Sequence, residues 1–433
     1  MRILIISANR EMNPDPVFPL GAAYIAQAAE NAGHETHIFD ACFREQPADD
    51  LQIFLKKNRY DLIGISLRNV DDVAFPQYTC YLPYYREIMQ TVRKASNAPV
   101  VLGGSGFSIF PEIFMRELGA EYGITGDGER AFPGLIADIE NRRAKKGICS
   151  GADIEITDSG FPLRRGFDIE KYYTFSGCIN IQTKRGCALD CTYCTYPFLE
   201  GKKYRFRSPS DIADEILYWK ERDISHFFFV DSTFNFPEKF GREIIREIIN
   251  RKLDIKWTGY FVPKVEDDDF IRLLAESGCT SLDFGTDALH PETIRGYKKN
   301  FSVDDVFRAA ELCHTHNIKF NHSLILGGPG ETFETMETTI SNAEKMKPVS
   351  VIAFLGVRVY PQTAMSSLLS AEIGIDPVFY ISEHVKQNLL PWLAERLKRN
   401  YNWMIPGLKK GIDLRLFAKM RNKGYKGPLW EYL

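Results

Sequence analysis

A chain of 433 residues is too long for one ordinary domain, and 44% hydrophobic content supports two or three packed cores. The formal net charge of −3 argues against a nucleic-acid binder, and no apolar run is long enough to span a bilayer. Nine cysteines without a secretory pattern fit a reducing, cytoplasmic setting.

From the N-terminus to about residue 140, short apolar runs alternate with helix-like stretches. Residues 2–7, 35–39, 62–67, 99–102 and 122–125 predict strands. Residues 21–32 predict a helix closed by Gly33. This alternation implies an α/β domain with a parallel sheet, whose ligands bind beyond the carboxyl ends of the strands. At those ends stand Ser66-Leu67-Arg68-Asn69, Gly103-Gly104-Ser105-Gly106 and Gly126-Asp127-Gly128-Glu129. Glycine there lets a backbone approach a ligand, although ordinary tight turns look the same. Gly104-Ser105-Gly106 lacks the third glycine of a dinucleotide fingerprint, so NAD is not expected.

Residues 141–178 are charged and irregular, and read as a linker. A second series begins at residue 179. Strands are predicted over 179–183, 226–231, 256–261, 281–285, 319–326 and 349–357, and helices over 210–222, 239–252, 267–277, 303–317 and 332–346. Six β/α units through residue 370 predict a parallel barrel, open or incomplete, with its active site at the carboxyl ends of the strands.

Residues 371–433 predict a small, mostly helical region, in which Pro391 must kink or divide a helix over 381–398. Lys398, Arg399, Lys409, Lys410, Arg415, Lys419, Arg421, Lys423 and Lys426 make its last part basic. A solvated face is the ordinary reading of those charges. Contact with an anionic substrate is another, as is a cover for the barrel mouth built from Tyr401, Trp403 or Trp430.

The most specific signal is Cys187-x3-Cys191-x2-Cys194, with Tyr193 before the last cysteine. Three thiolates so spaced can hold three irons of a [4Fe–4S] cube and leave the fourth iron open to a substrate or cofactor. Zinc normally takes four closed ligands, and a disulfide framework does not suit this chain. Cys42, Cys80 and Cys149 offer no spacing for a second cluster, while Cys279 and Cys313 read as small buried residues.

This motif and the β/α units after it resemble the radical S-adenosylmethionine (SAM) core, an incomplete (β/α)6 barrel. Ser66, Gly103-Gly104 and residues 18–24 make residues 1–140 similar to the flavodoxin-like cobalamin-binding domain upstream of many such enzymes. Together they resemble the cobalamin-dependent radical SAM methyltransferases. The resemblance implies that the open iron chelates SAM. It places Tyr193 near the adenine, Asp231 and Ser232 near the amino group, Gly285 and Thr286 near the ribose, and Gly327 and Gly328 near the adenine. It also implies that Ser66, Arg68, Asn69, Gly103, Gly104, Ser105, Gly106, Gly126 and Glu129 surround cobalamin. Many relatives carry Asp-x-His-x-x-Gly after the first strand, but residues 8–15 contain no histidine. No histidine ligand to cobalt is therefore expected from that loop, and Arg68, Asn69 or water would face the metal.

The implied activity is reductive cleavage of SAM to a 5′-deoxyadenosyl radical, hydrogen abstraction from an unactivated carbon of a small molecule, and methylation from methylcobalamin. It calls for an external one-electron donor of flavodoxin or ferredoxin type. Ring formation or rearrangement without methyl transfer, with cobalamin retained or lost, is the alternative. No catalytic acid or base is assigned. His322, inside a barrel strand, is a candidate for the cavity wall, whereas His314 and His316 read as helix-end residues.

Overall fold

The computed structural model describes residues 1–13, 15–151, 161–265, 267–369, 372–406 and 419–433. The first sheet contains β1 (Arg2–Ser7), β2 (Glu35–Asp40), β3 (Leu62–Ser66), β4 (Val100–Gly103), β5 (Tyr122–Thr125) and β6 (Gly147–Ser150). Its order is β2-β1-β3-β4-β5-β6, with every pairing parallel. Successive side chains of a strand point to opposite faces. Ile3 and Ile5 accordingly pack with helices Leu20–Asn31 and Ala131–Glu140, while Leu4 and Ile6 pack with Pro47–Lys57, Leu82–Ala95 and Pro111–Leu118. Both faces are covered, so these strands read as unbroken apolar runs.

The sheet runs past residue 140 into the segment read as a linker. There β6 pairs with β5, and Tyr172 of helix Ile169–Ser176 packs edge-on against Phe18 and Phe43. All four residues of β6 are exposed, and the chain before it is basic. A solvated edge strand of this kind has no apolar alternation to reveal it.

The second sheet contains β7 (Ile179–Ile181), β8 (His226–Phe229), β9 (Lys256–Phe261), β10 (Cys279–Asp287), β11 (Lys319–Leu326) and β12 (Ser350–Leu355), in sequence order and parallel. Four of its helices start at side-chain caps that the sequence carries openly, while Glu238–Asn250 follows Pro237 without one. Ser208 accepts from the Asp211 amide at 3.0 Å and Asp267 from that of Phe270 at 2.9 Å, each cap contributing about 1 kcal/mol. Ser302 and Thr332 form reciprocal capping boxes.

The tail mixes helix with two short strands. Among its described residues 419–422 and the short turn Leu429–Tyr432 are also helical, and its longest helix is Leu389–Arg396. Pro391 is its third residue, a first-turn position where a missing amide hydrogen removes no intrahelical bond. The helix therefore begins at Leu389, and 381–388 stay outside it. Gly356, at φ 66°, ends β12, after which Val357–Val359 pairs antiparallel with Val378–Tyr380. Residues Trp403–Met404 form β13, a seventh parallel strand beside β12.

Candidate functional site

The cysteine loop is built by burying charge around it. Lys184 and Asp231 are both fully buried and pair at 3.3 Å. Asp231 also accepts from the amides of Thr183 (2.7 Å) and Lys184 (3.2 Å) and from the Thr183 hydroxyl, so both carboxylate oxygens are committed. Ser232 donates to the Gly186 carbonyl at 3.1 Å. Asp231 and Ser232 thus brace the strand that delivers the cysteines. Gly186 has φ 94°, and a Cβ there would stand 2.2 Å from the Lys203 carbonyl oxygen, so the entry to Cys187 requires glycine.

Cys187 is buried, and Cys191 and Cys194 are half-buried. Burial pushes the thiols of Cys191 and Cys194 up, the charge of Cys187 adds to this in both, and Lys299 opposes it. The three sulfurs are close enough to sense one another, and the motif supplies three thiolates with no fourth Cys or His in it. That donor set fits a cube, in which each thiolate binds its own iron, better than one closed metal ion.

Behind the cysteines, Tyr193 donates to Asp287, which also pairs with Lys299. Tyr193 meets Tyr297 edge-on at 5.6 Å. Thr286 is fully buried and bonded to His322 Nδ1 at 2.8 Å. His322 sits in the core between Phe284 and Phe320 rather than on the cavity wall, and burial pushes its pKa down to about 3. Gly285 leaves open space, the nearest atom to a Cβ there being 4.0 Å away. The amides of Gly327 and Gly328 both donate to Glu331 at 2.7 Å, and a Cβ on Gly328 would overlap the Tyr297 hydroxyl. His314 bonds the Met346 carbonyl and His316 bonds Asp268, both at helix ends.

One cavity of about 1790 Å³ joins the two sheets. Ser66, Arg68, Asn69, Gly103, Gly104, Ser105, Gly126 and Glu129 line it from the first domain. Gly106 lies off the wall, where its lack of Cβ lets a short helix rest on the Leu67–Arg68 backbone. Thr195 and Tyr196, directly after the last cluster cysteine, line the opposite side. Two buried donors on the wall, Asn9 Nδ2 and the Tyr24 hydroxyl, have no protein partner. Unpaired buried polar atoms and glycine-lined strand ends are what a large polar cofactor would use, so the residues fit a corrinoid.

The loop Gly126–Glu129 also joins the domains. Arg185, beside the cysteines, pairs with Asp127 at 3.1 Å and Glu129 at 2.6 Å, and Arg205 pairs with Asp127. The Glu129 carboxylate is therefore held by an arginine while its residue faces the cavity. This network escaped sequence reasoning because its partners are 56 and more residues apart.

Tyr401, Trp403 and Trp430 all line the cavity, but the tail docks at the amino ends of the strands, not at the barrel mouth. Glu431 accepts from Thr280 (3.0 Å) and from Ser281, near the start of β10, and its carbonyl accepts from Lys319 at the start of β11. Arg421 is buried rather than solvated, donating to the carbonyls of Phe175, Ser176, Tyr425 and Gly427 and to Asp15. Lys409, Lys410 and Arg415 lie outside the described residues.

The pattern of the Radical SAM superfamily matches residues 181–343, and that of the B12 binding domain matches residues 13–136. The chain belongs to the cobalamin-dependent radical SAM enzymes. A tryptophan 2-C-methyltransferase of Streptomyces laurentii is 25% identical to this enzyme, over 86% of this chain and 74% of its own. An uncharacterized methyltransferase of Pyrococcus horikoshii is 26% identical over 80% of this chain and 77% of its own. The solved radical SAM methyltransferase TsrM from Kitasatospora setae, with cobalamin and a [4Fe–4S] cluster bound, shares the fold. Its TM-score is 0.88 at 23% identity, over 100% of this chain and 97% of that one. No helix among the enzyme's described residues is long and apolar enough to cross a membrane.

Proposed function

We propose that this enzyme transfers a methyl group from SAM, by way of a bound corrinoid, to a carbon of a small molecule held in the barrel lumen. The observation that carries this reading is the shared cavity: the strand ends of the first sheet and the lumen of the second open onto one space. Thr195 and Tyr196 bring its wall to the cysteine loop, while the cysteines themselves, Tyr193, Ser232, Gly285 and Gly327 do not line it, and one space suits a group handed across it.

Cys187, Cys191 and Cys194 would hold the cluster, and Ser66, Arg68, Asn69, Gly103, Gly104, Ser105 and Gly126 the corrinoid. When bound, the cluster supplies the electron for SAM cleavage and the corrinoid carries the methyl group. Tyr193, Ser232, Gly285 and Gly327 remain the residues read as nearest SAM. The chain's own contribution is positioning and exclusion of water. Asp231 and Lys184 fix the cysteine loop, and Lys299 sets a positive charge behind it. Trp403, Leu429 and Trp430 close the lower wall of the cavity with apolar surface. Residues 8–15 offer no histidine, so Arg68 and Asn69 are the side chains this part of the wall would offer a corrinoid. An external flavodoxin- or ferredoxin-type donor and a cytoplasmic location complete the reading, supported by the oxygen-sensitive chemistry of an open cluster.

The test is anaerobic reconstitution with iron, sulfide and hydroxocobalamin, followed by reduction and SAM carrying a CD3 group. Label in the corrinoid together with S-adenosylhomocysteine is the expected result. A fully reconstituted protein that takes up no corrinoid would overturn the reading. Deoxyadenosine without label transfer would favour ring formation or rearrangement instead.

A further inference from the structure

The register of the second sheet places a polar row inside the barrel. Tyr260 of β9 stands beside Asp283 of β10, Asp283 beside Asn321 of β11, and Asn321 beside Ser350 of β12. A filled barrel carries branched apolar residues in such layers. Here the row is polar and one end of it faces space: Tyr260 and Asp283 line the large cavity, as does Ser323 two residues beyond Asn321, while Asn321 and Ser350 are buried behind them.

The row is ordered around Asp283, which is only 6% exposed. Ser350 donates to Asn321 Oδ1 at 3.0 Å, which turns the Asn321 amide nitrogen toward Asp283 Oδ1 at 2.9 Å. Ser323 donates to the same oxygen at 3.0 Å. Oδ2 has no hydrogen-bond partner and no cation pairs with the carboxylate among the described residues. Four other deeply buried carboxylates do have cations: Asp231 has Lys184, Glu215 has Arg164 and Arg207, Asp71 has Arg358, and Asp287 has Lys299, whereas Glu331, which lies off the cavity, is held by the amides of Gly327 and Gly328. A buried carboxylate without a counter-charge is costly unless something outside the chain supplies one. Beside it on the neighbouring strand is Tyr260, whose ring meets Phe228 at 5.0 Å, and Phe228, Tyr260, Ile352 and Phe354 give the barrel side of the cavity an aromatic and apolar surface.

We propose that Asp283 is the substrate-recognition residue of the barrel, its free Oδ2 accepting from a cationic nitrogen of a substrate whose aromatic or apolar body rests on the surrounding rings. This rests on reading the cavity as the substrate chamber. The residue acts in binding, through a charge-assisted hydrogen bond, and no proton transfer is assigned to it.

The test compares two probes of one shape on the holoenzyme by calorimetry at pH 8: tryptamine, a cation, and tryptophol, its neutral alcohol counterpart. Wild-type enzyme should bind tryptamine about tenfold or more tighter than tryptophol. Asp283→Asn should remove that preference, and Asp283→Ser serves if the first variant is poorly folded. Equal binding of the two probes, a preference that survives both substitutions, or no binding of tryptamine overturns the proposal. Iron and corrinoid content, measured on the same wild-type sample, reports on the proposed function separately. A sample lacking corrinoid fails that reading whatever the amine preference shows.

Discussion

At the scale of single residues, the chemistry of a position depends on which way its strand points it. His322 is the residue that composition recommends, yet Phe320, His322 and Leu324 share the outward, buried side of β11, and Asn321 and Ser323 share the inner one. The signal was present in the sequence. Ser281-Leu282-Asp283-Phe284-Gly285 alternates polar and apolar, and period two puts Ser281, Asp283 and Gly285 on one face. Reading that alternation before residue type would have found Asp283. Burial pushes its carboxyl from 3.8 up to about 6, while Asn321 and Ser323 pull the other way. A folded pKa above the unfolded one means that the stability linked to its protonation is complete below about pH 4 and is lost as pH rises through about 6. That loss is about 3 kcal/mol. Asp283→Asn should therefore gain on wild type by that order between pH 4 and pH 7, read from urea unfolding at each pH. A difference that does not change with pH contradicts the assignment.

At the scale of elements, the barrel was legible because its strands and helices follow one rhythm and its helices begin at local caps such as Ser208, Asp267, Ser302 and Thr332. Site residues made by contacts between distant elements were not. Asp231 was read as a SAM contact from its place at a strand end, and the structure spends both of its oxygens on Thr183 and Lys184. Removing one partner of such a pair leaves a buried charge alone. Asp231→Ala should cost about 3–5 kcal/mol and lower the iron bound after reconstitution. Denaturant midpoints and iron content check this together. A variant with full iron content and unchanged midpoint would show that the pair does not hold the cysteine loop.

For the whole molecule, the order of domains was readable from composition and periodicity, whereas the boundary and the tail were not. Strand β6 is an exposed edge, and the tail takes its shape from remote partners: β12 for β13, and the carbonyls of Phe175 and Ser176 for Arg421. Arg421→Ala should destabilise the enzyme by on the order of 2–3 kcal/mol, since several buried carbonyls lose their donor at once. Limited proteolysis should then cut within 419–433 before the barrel is attacked. Equal protease resistance would mean that the tail is held by its aromatic contacts alone. The same tail closes the chamber in which the two cofactors are read to meet, and that chamber is the centre of the account. An anaerobic crystal structure with the cluster, hydroxocobalamin and a SAM analogue tests it most directly. Expected are the corrin ring between the Ser66 and Gly103–Gly104 strand ends and the barrel, no histidine from residues 8–15 on cobalt, and the Asp283 carboxylate on the wall of the barrel lumen that opens onto the corrinoid. A corrinoid bound outside that cavity, or a wall of protein between it and the open iron, would contradict it.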